Sequence, residues 1–166
     1  MRRSLGEDAM KVVIVGRDQE LLRPLVDKLG REAFEVVVVD GGAGVQSYIK
    51  KASLHFLVAD VNLLVDHSLG REVLSRCPLA RLIALASHPT LLGMIDALSG
   101  GLTDYFPRSP EYFDDLVQTM VNERQRLVRW QRTLLSGSAL PGSGNSVPAA
   151  QHLVGEESRS QADQES

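Results

Sequence analysis

The sequence predicts an α/β protein, a doubly wound five-stranded parallel sheet built from five βα units. Three observations lead there. His55-Phe56-Leu57-Val58-Ala59 is mostly apolar with no polar alternation, the pattern of a central strand buried on both faces, and it stops on Asp60. Four other short apolar or β-branched runs lie at 11–15, 36–39, 81–86 and 103–107. Between them fall apolar residues at helical spacing, so strands and helices alternate and the crossovers are right-handed.

Each element has its own warrant. Lys11-Val12-Val13-Ile14-Val15, closed by Gly16, reads as the first strand. Asp18 then precedes Leu21, Leu22, Leu25, Val26 and Leu29, with Gly30 as the stop. Pro24 falls early in this helix, where a lost hydrogen bond matters least. Val36 to Val39 form the second strand, ended by Asp40-Gly41-Gly42, and Val45, Tyr48 and Ile49 mark a short helix. After Asp60 a loop is expected from Val61 to about His67, followed by a third helix on Leu69, Val73 and Leu74 that closes at Cys77-Pro78. Arg81 to Ala86 form the fourth strand. Leu91, Leu92, Ile95 and Leu98 give the fourth helix, and Thr103 to Pro107 the fifth strand. Ser109-Pro110-Glu111 is expected to open the last helix with a hydroxyl cap. That helix runs to about Leu135, longer than the sheet needs, with Phe113, Leu116, Met120, Leu127, Trp130 and Leu134 near one stripe. The overhang is either a solvated helix or a surface for a second copy or partner.

Composition narrows the function. The chain has 166 residues, 43% hydrophobic and 23% charged, enough for one domain, 10–135, between a loose leader at 1–9 and a tail at 136–166. That tail carries one Arg against four acids, which accounts for the whole net charge of −3. Its Gly, Ser, Pro, Gln and Glu content cannot bury enough apolar surface to fold alone, and disorder is expected. The neutral remainder argues against nucleic acid as a partner. Cys77 is the only cysteine, no segment resembles a signal peptide, and no apolar run is long enough to span a bilayer. A cytoplasmic protein without a membrane partner is expected. The four histidines are scattered, the turn after the first strand lacks a G-x-G-x-x-G, and no G-x-S-x-G occurs, so metal-cluster, dinucleotide and hydrolase readings have no support.

Asp60 after Leu57-Val58-Ala59, Asn62 two residues on, the Asp40-Gly41 turn, Ala86-Ser87 and Gly101-Leu102-Thr103-Asp104-Tyr105 together resemble the receiver domain of two-component response regulators, over about residues 10–130. The resemblance implies a flavodoxin-like receiver fold and a phosphoacceptor aspartate at Asp60, phosphorylated by a histidine kinase. Such receivers add two acids at the end of the first strand for Mg²⁺, a hydroxyl ending the fourth strand and a Lys ending the fifth. Phosphoryl transfer depends on such positioned charge. Here those positions hold Gly16 and Arg17, Ala86 with Ser87 beside it, and Arg108. Tyr105 keeps the family's aromatic switch position without a hydroxyl partner at Ala86, and its own hydroxyl is expected at the surface.

Two readings of Asp60 are therefore open. In one, Arg17 or Arg108 forks onto its carboxylate and holds the pocket in a single state. The chain is then a stand-alone atypical receiver, not an enzyme and without a cofactor. It would meet a signalling partner, kinase or effector, or dimerise. Its surfaces would be the last helix or the face of fourth helix, fifth strand and fifth helix, with Leu91, Leu92, Met94 and Tyr105 as candidates. In the other, Asp18 and Asp60 hold Mg²⁺ for conventional phosphorylation, although Asp18 also suits a helix N-cap. A third reading has Arg17 and Arg108 binding a small anion.

Overall fold

The computed structural model describes residues 9–65 and 68–137. Five parallel strands, β1 (Lys11–Val15), β2 (Glu35–Val39), β3 (Phe56–Asp60), β4 (Arg81–Ala86) and β5 (Asp104–Pro107), form one sheet in the order β2-β1-β3-β4-β5. The helices are α1 (Gln19–Arg31), α2 (Gly42–Lys51), α3 (Val61–Val65), α4 (Leu69–Arg76), α5 (Leu91–Ser99) and α6 (Phe113–Gly137). Most of the expected leader and nearly all of the expected tail lie outside the described residues. The chain divides into two compact units, the first ending at Gln125 and the second beginning at Arg126 within α6.

β3 occupies the centre, and Phe56, Leu57, Val58 and Ala59 are all 0% exposed. A strand covered on both faces has no use for polar alternation, which is why its sequence is a plain apolar run. Side chains still alternate in direction. Val13, Leu57, Ala59, Leu82 and Ala84 pack with Val45, Ile49, Leu69, Val73 and Ala97 in one cluster. Val12, Ile14, Phe56, Val58, Ile83 and Leu85 alternate with these, and their burial fits a second layer with Leu22, Leu25, Leu29, Phe113, Leu116 and Met120. The edge strand β2 is only partly covered, and Val38 is exposed.

Three local expectations are corrected. The loop expected from Val61 to His67 begins instead as the short helix α3, which buries Leu64. Ser109 makes no cap. Pro110–Tyr112 form a 3₁₀ turn before α6, and the Ser109 hydroxyl donates to Glu111 Oε1 at 3.2 Å. Gly30 is one residue short of the stop of α1: the helix continues to Arg31, and Ala33 beyond it takes the left-handed conformation (φ 61°).

The turn after α1 is tied down from α6. Arg124 donates to the carbonyl of Glu32, and its guanidinium lies 4.5 Å from the centroid of the Phe34 ring. Phe34 in turn meets Phe56 edge-to-face at 5.8 Å. A cation at the carbonyl end of a helix is favourable, and so is one over an aromatic face. Lys28–Asp114 (2.6 Å) and the half-buried pair Arg81–Glu123 (3.2 Å) add two further ties from α1 and β4 to α6.

Arg124→Ala is accordingly expected to lower the unfolding free energy by about 1–2 kcal/mol in urea titration. Ala33→Gly should raise it by about 0.5–1 kcal/mol, since glycine adopts the left-handed region without a Cβ penalty.

Candidate functional site

The carboxyl ends of β1, β3, β4 and β5 bring Gly16, Arg17, Asp18, Asp60, Asn62, Ala86, Ser87 and Arg108 to one edge of the sheet, where ligands gather in open α/β folds. The backbone there is satisfied locally. Gly16 N–H donates to Val39 O at 3.1 Å and Arg108 N–H to Ala86 O at 2.8 Å. Asp60 is half-exposed at the end of β3, and its Oδ1 accepts from Asn62 N–H at 2.9 Å. Asp18 caps α1, accepting from Leu21 N–H at 3.1 Å, so the capping role expected of it is the one it has.

The fork expected on Asp60 does not form. Arg17 Nε pairs instead with Asp40 Oδ1 at 3.2 Å, with both side chains more than four-fifths exposed. Neither Arg17 nor Arg108 makes an ion pair with Asp60 among the described residues. The Arg17–Asp40 pair, in solvent, contributes at most about 1 kcal/mol. It follows from the topology: β2 and β1 are neighbours in register to Val15 and Val39, so residues 17 and 40 emerge side by side.

Gly16 is crowded. A Cβ built there meets Leu22 Cδ1, the tip of a side chain that is itself 2% exposed. Any side chain at position 16 would have to turn a core leucine aside. No three His, Cys, Asp or Glu side chains gather as a metal site among the described residues.

Tyr105 is half-buried against the apolar cluster, and its hydroxyl, in an exposed contact, accepts from Thr90 N–H at 3.4 Å. Thr90 Oγ1 caps α5 by accepting from Gly93 N–H at 3.0 Å, and a Cβ at Gly93 would come within 2.9 Å of that oxygen. Sequence reasoning missed this group, although Thr90 directly before an apolar helix is an N-cap signal. Ser87 and His88 are exposed beyond β4.

The sequence matches no protein-family model and no curated protein. Solved structures do match. A response regulator from Thermotoga maritima superposes with a TM-score of 0.62 at 15% identity, over 69% of this chain and 96% of that one. A CheY-like response regulator receiver domain protein from Methanospirillum hungatei gives 0.59 at 16% identity, over 72% and 98%. The chain has the receiver fold. A third receiver-fold neighbour, a response regulator from Burkholderia pseudomallei, carries a phosphorylated aspartic acid, a calcium ion and citrate in its own crystal (TM-score 0.55, 18% identity, 78% and 86% covered). At these identities the likeness is one of fold. Five strands in the order 2-1-3-4-5 place Asp60 at the end of the central strand of that receiver fold.

Thr90→Ala should cost about 1 kcal/mol of stability through the lost cap, with Thr90→Ser nearly neutral. Tyr105→Phe should change it by less than about 0.5 kcal/mol, because a 3.4 Å contact is at the weak end of hydrogen bonding. Thermal unfolding of the three variants checks both.

Proposed function

We propose that this chain is an atypical receiver, a protein-interaction module in bacterial signal transduction that works without normal Mg²⁺-dependent phosphorylation of Asp60. The observation that carries the reading is the end of β1, which offers no acid: Gly16 stands there with the tip of Leu22 packed against it, and Arg17 brings a cation. Mg²⁺ demands several hard oxygen ligands in octahedral geometry. The acids at hand, Asp18 and Asp60, each already accept a backbone N–H bond, and this donor set does not fit the ion.

Recognition would fall to the surface. Leu91 (70% exposed), Leu92 (69%), Ile95 and Leu98 make α5 apolar on the outside, while only Ala97 of that helix is buried. Asp96 is its single charge. A solvent-facing cluster of this kind marks an interaction site. A signalling protein, kinase or effector, is the partner proposed for α5 and the neighbouring Tyr105. Met94 lies half-buried on the same helix. The described residues contain no helix long and apolar enough to cross a membrane.

One observation favours a second reading, phosphorylation of Asp60 by a histidine kinase: among the described residues no guanidinium pairs with its carboxylate, which stays half-exposed. Amide NMR spectra with Mg²⁺, then with Mg²⁺ and beryllofluoride, separate the two. The proposal expects a dispersed spectrum with no saturable shifts at Asp60, Ser87, Tyr105 or Arg108. Saturable shifts there overturn it in favour of phosphorylation.

Leu92→Asp is expected to leave the unfolding free energy within about 0.5 kcal/mol, the usual range for an exposed position, and to abolish partner binding. Binding retained by a folded Leu92→Asp chain moves the interface off α5. Gly16→Asp should destabilise by about 1–3 kcal/mol through overpacking and confer no Mg²⁺ affinity by isothermal titration.

A further inference from the structure

The continuation of α6 from Arg126 to Gly137 presents an apolar and basic face. Trp130 is 49% exposed and Leu134 74%, and one helical turn separates them on the same side. The guanidinium of Arg126 lies 5.0 Å from the centroid of the Trp130 ring, and Arg129, exposed, is the residue next to that tryptophan in the helix. Arg132 adds a third cation, and residues 124–137 contain no acid. Two copies of such a helix laid together would bring arginines against arginines.

The complementary chemistry lies in the same chain. Leu153-Val154-Gly155-Glu156-Glu157 places two aliphatic side chains, one glycine removed, before two acids, inside a tail of net charge −3. Fifteen residues, 138–152, join it to the helix, and they are rich in Gly, Ser, Ala and Pro. A Gly/Ser-rich chain of that length has a root-mean-square reach of about 20 Å, against about 10 Å from Gly137 back to Trp130 along the helix. The reach is ample, and the effective concentration of a tethered segment is high.

We propose that residues 153–157 dock on the α6 continuation of their own chain, with Leu153 and Val154 against Trp130 and Leu134, and Glu156 and Glu157 against Arg126 and Arg129. A segment too polar to fold by itself thereby gains a surface to order against, and it shields a tryptophan face that a partner must displace it to reach.

Trp130 is the only tryptophan, so its fluorescence reports on this face alone. Acrylamide quenching is measured on the full chain, on Glu156→Lys/Glu157→Lys and on Leu153→Asp/Val154→Asp. Both double variants should raise the quenching constant by about two-fold or more, and about 1 M salt should do the same to the unmodified chain, because the pairing charges are exposed and screened. Neither value should change with protein concentration. Equal quenching in all three chains overturns the proposal. So does protection that grows with concentration alongside a dimer mass in sedimentation, which assigns the face to a second copy.

Discussion

Burial of β3 on both faces is the constraint from which the rest of the first unit follows. A strand with Phe56 to Ala59 fully covered requires helices above and below the sheet, hence crossover connections and parallel neighbours. Parallel strands deliver all their carboxyl ends to one edge. There the chain leaves the ladder and must satisfy its backbone groups locally. In this protein the oxygens best placed to bind something are spent on that task. Asp18 caps α1, Asp60 holds Asn62 N–H, and Thr90 caps α5.

That allocation bears on chemistry. Catalysis of phosphoryl transfer comes from charges and donors fixed where charge develops, and it needs them free to meet the phosphoryl oxygens and the metal. Along this edge Arg17 turns outward to Asp40, and Gly16 yields its space to Leu22. Tyr105 leans its hydroxyl on the α5 N-terminus instead of on a β4 hydroxyl. On the proposed reading the fold keeps the framework of a switch while its moving parts serve as structure. The second carboxylate oxygen of Asp60, which is not the one that accepts from Asn62 N–H, is what makes the competing reading worth testing.

Much of this was legible in the sequence, for definite reasons. Two-sided burial writes strands as uninterrupted apolar runs, so β1, β3 and β4 could be placed to within a residue. Asp18 was readable as a cap because a short acid before an apolar helix has one favoured local use. Helix α3 was not readable: Val61-Asn62-Leu63-Leu64-Val65 spans little more than one turn, too short for a period. Ser109 misled because Pro110 fits the start of a 3₁₀ turn as well as that of an α-helix. The partner of Arg17 was missed for another reason. Asp40 and Asp60 end the strands on either side of β1, and spacing says nothing about which way a long, exposed guanidinium turns.

Among the described residues two helices carry exposed apolar faces of different electrostatic character, and this difference underlies the different occupants proposed for them. On α5, Leu91, Leu92, Ile95 and Leu98 surround a single charge, Asp96, so recognition there rests on shape and apolar burial and is weakly sensitive to salt. On the α6 continuation, Trp130 and Leu134 sit among arginines alone, so whatever covers them must supply acid as well as apolar surface. An acidic tail answers the second requirement and not the first, since four acids gain nothing against an uncharged leucine face and would approach Asp96 with like charge. On the proposed readings, charge pattern, more than hydrophobicity, thus separates the surface offered to other proteins from the surface offered to the chain itself.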